Sequence, residues 1–145
     1  MGESQKITWK VTVTTKANVT PFKLYLKESE LKHGKWASKK EPPSEISAPA
    51  PGGVNVVEFI SMGRWGSWYG TEGRVTYESE DNASNPTVLE FTWSIPVYDD
   101  NSANLMVKSG APNGTYSINP RPLDIPASGW DIKAEVSLEQ VKPDI

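Results

Sequence analysis

Apolar and polar side chains alternate with period two over most of the chain. Ile7, Trp9, Val11 and Val13 alternate with Thr8, Lys10, Thr12 and Thr14. Successive residues of a strand point to opposite faces, so this pattern predicts a strand with one face buried. Phe22, Leu24 and Leu26 repeat it after a turn at 18–21, and Leu89, Phe91, Trp93 and Ile95 repeat it against Glu90, Thr92 and Ser94. Ile132, Ala134, Val136 and Leu138 form the last such run. Shorter strands are predicted at 54–60, 75–77, 105–107 and 116–118.

The intervening segments are rich in turn formers. Residues 41–53 hold four of the twelve prolines and two glycines, which predicts an extended loop. Residues 81–86 and 99–104 read as polar turns, Asn113-Gly114 as a tight turn, and 119–129 as a Pro-rich connection. No window keeps helical spacing. Short strands at these intervals predict an all-β protein, an antiparallel sandwich or barrel. Residues 1–145 read as one domain without internal repeats.

The alternation is interrupted most sharply at 62–73, where Arg64, Trp65, Trp68 and Tyr69 stand among Gly63, Gly66, Gly70 and Gly73. Glycine reaches positive φ without steric cost, so the segment reads as a loop between strands. Large rings on a loop tip are unfavourable in water unless something docks on them. Trp36 and Trp130 also lie in or beside Gly-rich segments, and Tyr98 follows Pro96. These rings, with Arg64 and Lys35 as cations able to pair with a phosphate, form the candidate binding surface. Trp9 and Trp93 lie on apolar strand faces and are assigned to the core. A ring suits the membrane interface, its π face suits a quaternary ammonium, and its flat face suits a sugar. The rings alone leave lipid and glycan open.

Composition narrows the function. Hydrophobic residues make up 37% and aromatics 10%, enough for a folded β-rich chain. A net charge of -3 and a pI near 5.2 argue against non-specific nucleic-acid binding, which needs a basic face. The lysines between 32 and 40 read as solvated surface. With no cysteine there is neither a disulfide nor a thiolate metal site. His33 is the single histidine, no nucleophile elbow or phosphate loop is present, and Asp99-Asp100-Asn101 lacks the spaced ligands of a calcium loop. The expectation is therefore a binding protein and not an enzyme, with no catalytic residue, metal or cofactor. Residues 1–10 lack the apolar stretch of a signal peptide, and no run nears the roughly 18 apolar residues of a membrane span. A soluble protein is expected, cytoplasmic or non-classically secreted and acting at target membranes. The Asn-x-Ser/Thr triplets at Asn18, Asn82 and Asn113 then read as chance.

An ordered set of motifs resembles the aegerolysin family. Gly34-Lys35-Trp36 precedes Glu45-Ile46; Gly63-Arg64 is followed by Gly70-Thr71-Glu72-Gly73; Phe91-Thr92-Trp93-Ser94-Ile95-Pro96 is followed by Asn104. The resemblance covers roughly residues 31–107. His33 stands where the family commonly has an aromatic residue before Gly-Lys, Ile95 where it has cysteine, and Tyr69 where sphingolipid readers can carry an acidic residue. The resemblance implies a β-sandwich of the cytolysin/lectin type, shared with anemone pore formers and fungal fruit-body lectins. It also implies recognition of membrane lipids, often sphingolipids, as the targeting half of a two-component cytolysin. The partner would be a larger perforin-like or other toxin protein. Residues 70–73 then read as a structural turn launching the next strand, leaving Arg64 to Tyr69 to carry recognition. A glycan-binding lectin on the same sandwich is the alternative, and a structural or immune-modulating protein whose rings cap the core is a third.

Overall fold

The computed structural model describes residues 5–21, 23–79, 86–109 and 116–141. Phe22, the turn predicted at 81–86 apart from Pro86, the Asn113-Gly114 turn and the triplets at Asn82 and Asn113 lie outside these residues. Ten strands form among the described residues: β1 (Lys6–Thr15), β2 (Lys23–His33), β3 (Lys35–Trp36), β4 (Glu45–Ser47), β5 (Asn55–Met62), β6 (Thr71–Glu78), β7 (Val88–Ile95), β8 (Ser102–Ser109), β9 (Tyr116–Asn119) and β10 (Asp131–Gln140). No helix occurs among the described residues.

The strands make two five-stranded sheets, ordered β3-β5-β1-β10-β9 and β4-β2-β6-β7-β8. The alternation read from the sequence decides which faces meet. Ile7, Trp9, Val11 and Val13 of β1 are fully buried, as are Leu89, Phe91 and Ile95 of β7, with Trp93 nearly so; of the residues that alternate with them, all are exposed or half-covered except Glu90, which is buried. Trp9 is a hub of the core. Its ring meets Phe59 at 6.2 Å in its own sheet, and Phe91 at 5.1 Å and 82° across the sandwich. Edge-to-face pairs of this kind add about 0.5–1.5 kcal/mol beyond burial. The structure is an all-β sandwich.

Four features depart from the sequence reading. β1 and β10 pair in parallel, Lys6 opposite Asp131 through Thr15 opposite Gln140, inside otherwise antiparallel sheets. A parallel pair needs a long crossover, and here the chain between the two strands supplies it, building the second sheet on the way. The loop at 41–53 contains β4, because Ile46 is 1% exposed and pairs opposite Leu24. The polar turn predicted at 99–104 stops at Asn101, since Ser102 and Asn104 already pair with Ser94 and Thr92. Finally, 70–73 is not wholly a turn. Only Gly70 precedes the strand, and Gly73 sits within β6 opposite Trp93, where a Cβ would lie 2.6 Å from the Glu30 carbonyl and 2.8 Å from the Trp93 ring. Gly73 is small to let strands and indole close up.

Two glycines turn the chain between sheets. Gly34 (φ +103°) is the only residue between β2 in one sheet and β3 in the other. Gly70 (φ +76°) ends the return from β5 to β6 and abuts the Ile95 carbonyl. Left-handed backbone at such corners favours glycine.

Candidate functional site

The ends of β2, β5 and β7 and the starts of β1, β3, β6, β8 and β10 lie together at one end of the sandwich, as their registers require. Buried polar contacts tie the two sheets there. The Trp93 indole N–H donates to Thr71 Oγ1 at 3.1 Å, and Thr71 and Ser61 share a hydroxyl hydrogen bond of 2.5 Å across the sheets. Gln5 Nε2 donates to the Pro96 carbonyl at 2.7 Å, and Gly63 N donates to the Gln5 carbonyl at 2.8 Å. The loops of this end therefore leave from a fixed frame.

The loop at 63–70 is built by its own hydrogen bonds. Ser67 N donates to the Arg64 carbonyl at 3.0 Å, closing a four-residue turn with Gly66 at φ +80° in its third position. That is the type II arrangement, which asks for glycine there. Tyr69 N then donates to Ser67 Oγ at 3.1 Å. The turn holds Trp65 at its tip, 82% exposed.

The other rings form a cleft beside this tip. Trp68 stacks on Tyr98 with centroids 6.0 Å apart, and Tyr69 stacks on His33 at 4.3 Å and 7°. All three ring residues of these pairs other than His33 stay largely exposed. With Glu72, Ser94, Pro96, Val97, Asp99 and Asp100 they line an open cleft of about 520 Å³. Aromatic faces and three carboxylates around one opening suit an organic cation, attracted both by the π faces and by the charges. Trp130 is exposed at the same end, its carbonyl accepting from Lys6 N just before β10. The neighbouring loop is fastened by Asn101, whose Nδ2 donates to the carbonyls of Pro126 and Gly129.

The predicted site residues thus divide. Arg64, Trp65, Trp68, Tyr69, Tyr98 and Trp130 lie exposed on one end. Trp36 does not join them. Its ring is half-buried against Phe59 and Trp93 at 6.1 and 5.8 Å, so it caps the core. Lys35, next to it in β3, is also half-buried. Sequence reasoning missed His33, Glu72, Asp99 and Asp100 as cleft residues. A lone histidine beside Lys32 and Lys35 reads as surface or loop, and the aspartates read as a polar turn. Only the meeting of three chain segments gives them a common purpose. No three described His, Asp or Glu residues come together as a metal-binding group.

No family model matches the chain, and no curated protein matches it in sequence. Solved structures do match. The RahU protein, solved in complex with a TRIS molecule, aligns at TM-score 0.59 and 18% identity, over 97% of this chain and 96% of its own. IP-1A from Alcaligenes faecalis aligns at TM-score 0.61 and 18% identity, over 97% of this chain and 93% of its own. The lipid-binding protein Nakanori aligns at TM-score 0.49 and 17% identity, over 92% of this chain and 69% of its own, too loosely to carry weight. At these identities the alignments speak for fold alone: the chain shares the β-sandwich of RahU and IP-1A over nearly its whole length.

Proposed function

We propose that this chain is a membrane-lipid-binding protein of the aegerolysin kind, one domain over 1–145, docking by the ring-bearing end of the sandwich. The observation that carries this reading is the gathering of Trp65, Trp68, Tyr69, Tyr98 and Trp130, all more than half exposed, on one end of a fold whose other described aromatics are buried or half-buried. Indole and phenol rings partition to the headgroup level of a bilayer. A rigid end bearing several of them adsorbs without first paying to order its loops. The stacked rings with Asp99, Asp100 and Glu72 suit the ammonium of a choline- or ethanolamine-bearing sphingolipid, while Arg64 in the adjoining turn meets the phosphate. Lys35 is already engaged by another group and half-covered, so Arg64 is the better phosphate partner.

The motif resemblance supports a targeting role, with a larger perforin-like or other toxin protein supplying the permeabilising machinery. No described helix is long and apolar enough to cross a membrane. The test is flotation with vesicles of phosphatidylcholine, and with vesicles of sphingomyelin and cholesterol. The wild-type chain is expected to float with the sphingolipid vesicles without releasing entrapped dye. Trp65→Ala/Trp68→Ala is expected to weaken binding at least tenfold, since burying such a ring contributes roughly 1.5–3 kcal/mol. Unchanged flotation of the double variant would overturn the assignment.

A further inference from the structure

A second opening lies beside the aromatic cleft, on the outer face of the sheet containing β2, β6, β7 and β8. It has a volume of about 430 Å³ and is lined by Glu30, Lys32, Glu72, Arg74, Thr92, Ser94, Ser102 and Asn104 above a floor of Gly73, Trp93 and Ala103. That volume is within the usual range for small-molecule sites. The register explains the lining. Glu72, Ser94 and Ser102 stand in one row across the sheet, and Arg74, Thr92 and Asn104 in the next. Alternation sends both rows to the same face.

The chemistry of the two sides differs. On the β2–β6 side the charges are arranged in opposite-sign neighbours. Lys32 Nζ lies 3.7 Å from Glu72, and the Arg74 guanidinium is hydrogen-bonded to Glu28 and 3.8 Å from Glu30. The lining holds two acids and two bases, so no net formal charge favours an ion. On the β7–β8 side stand three hydroxyls and one amide. No hydrogen bond among the described residues engages the side chains of Thr92, Ser94, Ser102 or Asn104. Each of these groups both donates and accepts, as a sugar hydroxyl does. A neutral, polyhydroxylated ring matches this set better than a phosphate, an ammonium or an acyl chain.

Position identifies where such a ring would come from. Glu72 and Ser94 line both this groove and the aromatic cleft, so the two openings adjoin. Groove residues on β6 and β8 lie within the first four positions of their strands, counted from the ring-bearing end. At about 3.3 Å per residue, the groove runs from that end to roughly 10 Å along the strands. If the rings sit at the headgroup level, the groove stands just above the bilayer surface, where a lipid's sugar projects. We propose that the groove over Glu72, Thr92, Ser94, Ser102 and Asn104 reads the sugar of a glycosylated lipid headgroup. This rests on the membrane-docking reading and adds a second lipid to it: the aromatic cleft takes the ammonium of one headgroup, and the groove takes the sugar of a neighbouring glycolipid.

Flotation against three vesicle types tests it: phosphatidylcholine and cholesterol alone, the same with ceramide, and the same with monohexosylceramide. Each is measured for wild type, Ser102→Ala/Asn104→Ala and Trp65→Ala/Trp68→Ala, with thermal unfolding as a control for folding. The expected result is tighter binding to hexosylceramide than to ceramide vesicles. The groove variant should lose that preference, about tenfold for two hydrogen bonds, while still adsorbing to the sugar-free vesicles. Equal binding to ceramide and hexosylceramide vesicles overturns the groove proposal and leaves membrane docking standing. A preference that survives Ser102→Ala/Asn104→Ala also overturns it. Failure to bind any vesicle, with retention of soluble oligosaccharides on a glycan array, overturns the membrane reading and with it the lipid source of the sugar.

Discussion

Tyr77 shows how much one side chain's setting adds to its identity. It lies on the inner face of β6, fully buried, with its hydroxyl donating to the Pro43 carbonyl at 2.7 Å. Burial disfavours the phenolate and pushes the Tyr77 pKa well above the ordinary value near 10. The folded chain therefore holds this proton more tightly than the unfolded chain. Its contribution is intact below about pH 10 and is lost as pH rises from there toward the folded value. Thermal unfolding between pH 8 and 11.5 is expected to show Tm falling above pH 10. Tyr77→Phe should flatten that fall, while costing about 0.5–1.5 kcal/mol at neutral pH for the lost hydrogen bond. The same contrast separates the tryptophans. Trp9, Trp93 and Trp36 were equal letters beside Trp65 and Trp68 in the sequence. Strand alternation identified the first two as core, but Trp36 sits in a two-residue strand too short to show a period.

At the scale of elements, the sheet corners are the demanding points. Gly70 carries φ +76°, and any Cβ there would run into the Ile95 carbonyl while its other side meets Gln5. Gly70→Ala is expected to destabilise the fold by at least 1–2 kcal/mol, from left-handed strain plus overpacking, read as a lower urea midpoint. Gly66→Ala at the loop tip, also at positive φ but with open space around it, should cost only the left-handed strain, about 1–2 kcal/mol, and less than Gly70→Ala. The four glycines of this segment were legible as a loop signal. The division of labour among three of them was not: Gly66 holds the third position of the tip turn, Gly70 makes a corner, and Gly73 admits an indole inside a strand. Short-range pattern cannot distinguish these because the colliding atoms belong to distant segments. β4 was hidden in its Pro-rich loop for a similar reason, since a three-residue strand exists only by its pairing with β2.

For the whole molecule, the parallel β1–β10 pair is decisive. It places the first and last strands side by side in the middle of one sheet, with β10 also carrying β9 on its far edge. Deleting the chain from residue 131 onward removes Ile132, Ala134, Val136 and Leu138 from the core. At roughly 1.5–3 kcal/mol per large side chain, that loss is comparable to the 5–15 kcal/mol that holds a typical domain folded. The truncated chain is expected to lose its cooperative urea transition and near-ultraviolet dichroism. Persistence of both would show that the sandwich does not depend on this closure.

What the sequence by itself determined is the local part: all-β class, the strands long enough to alternate, the core positions along them, and a ring-bearing loop within 62–73. Those follow from residue-by-residue geometry, because a strand sorts its own side chains between faces. Tertiary structure alone decided the strand order, the parallel pairing and the site's composition. His33, Trp68, Tyr69, Tyr98, Asp99 and Asp100 come from three separate segments, and the groove row Glu72, Ser94 and Ser102 from three strands. Their nearness is fixed by long-range register, which no local pattern encodes.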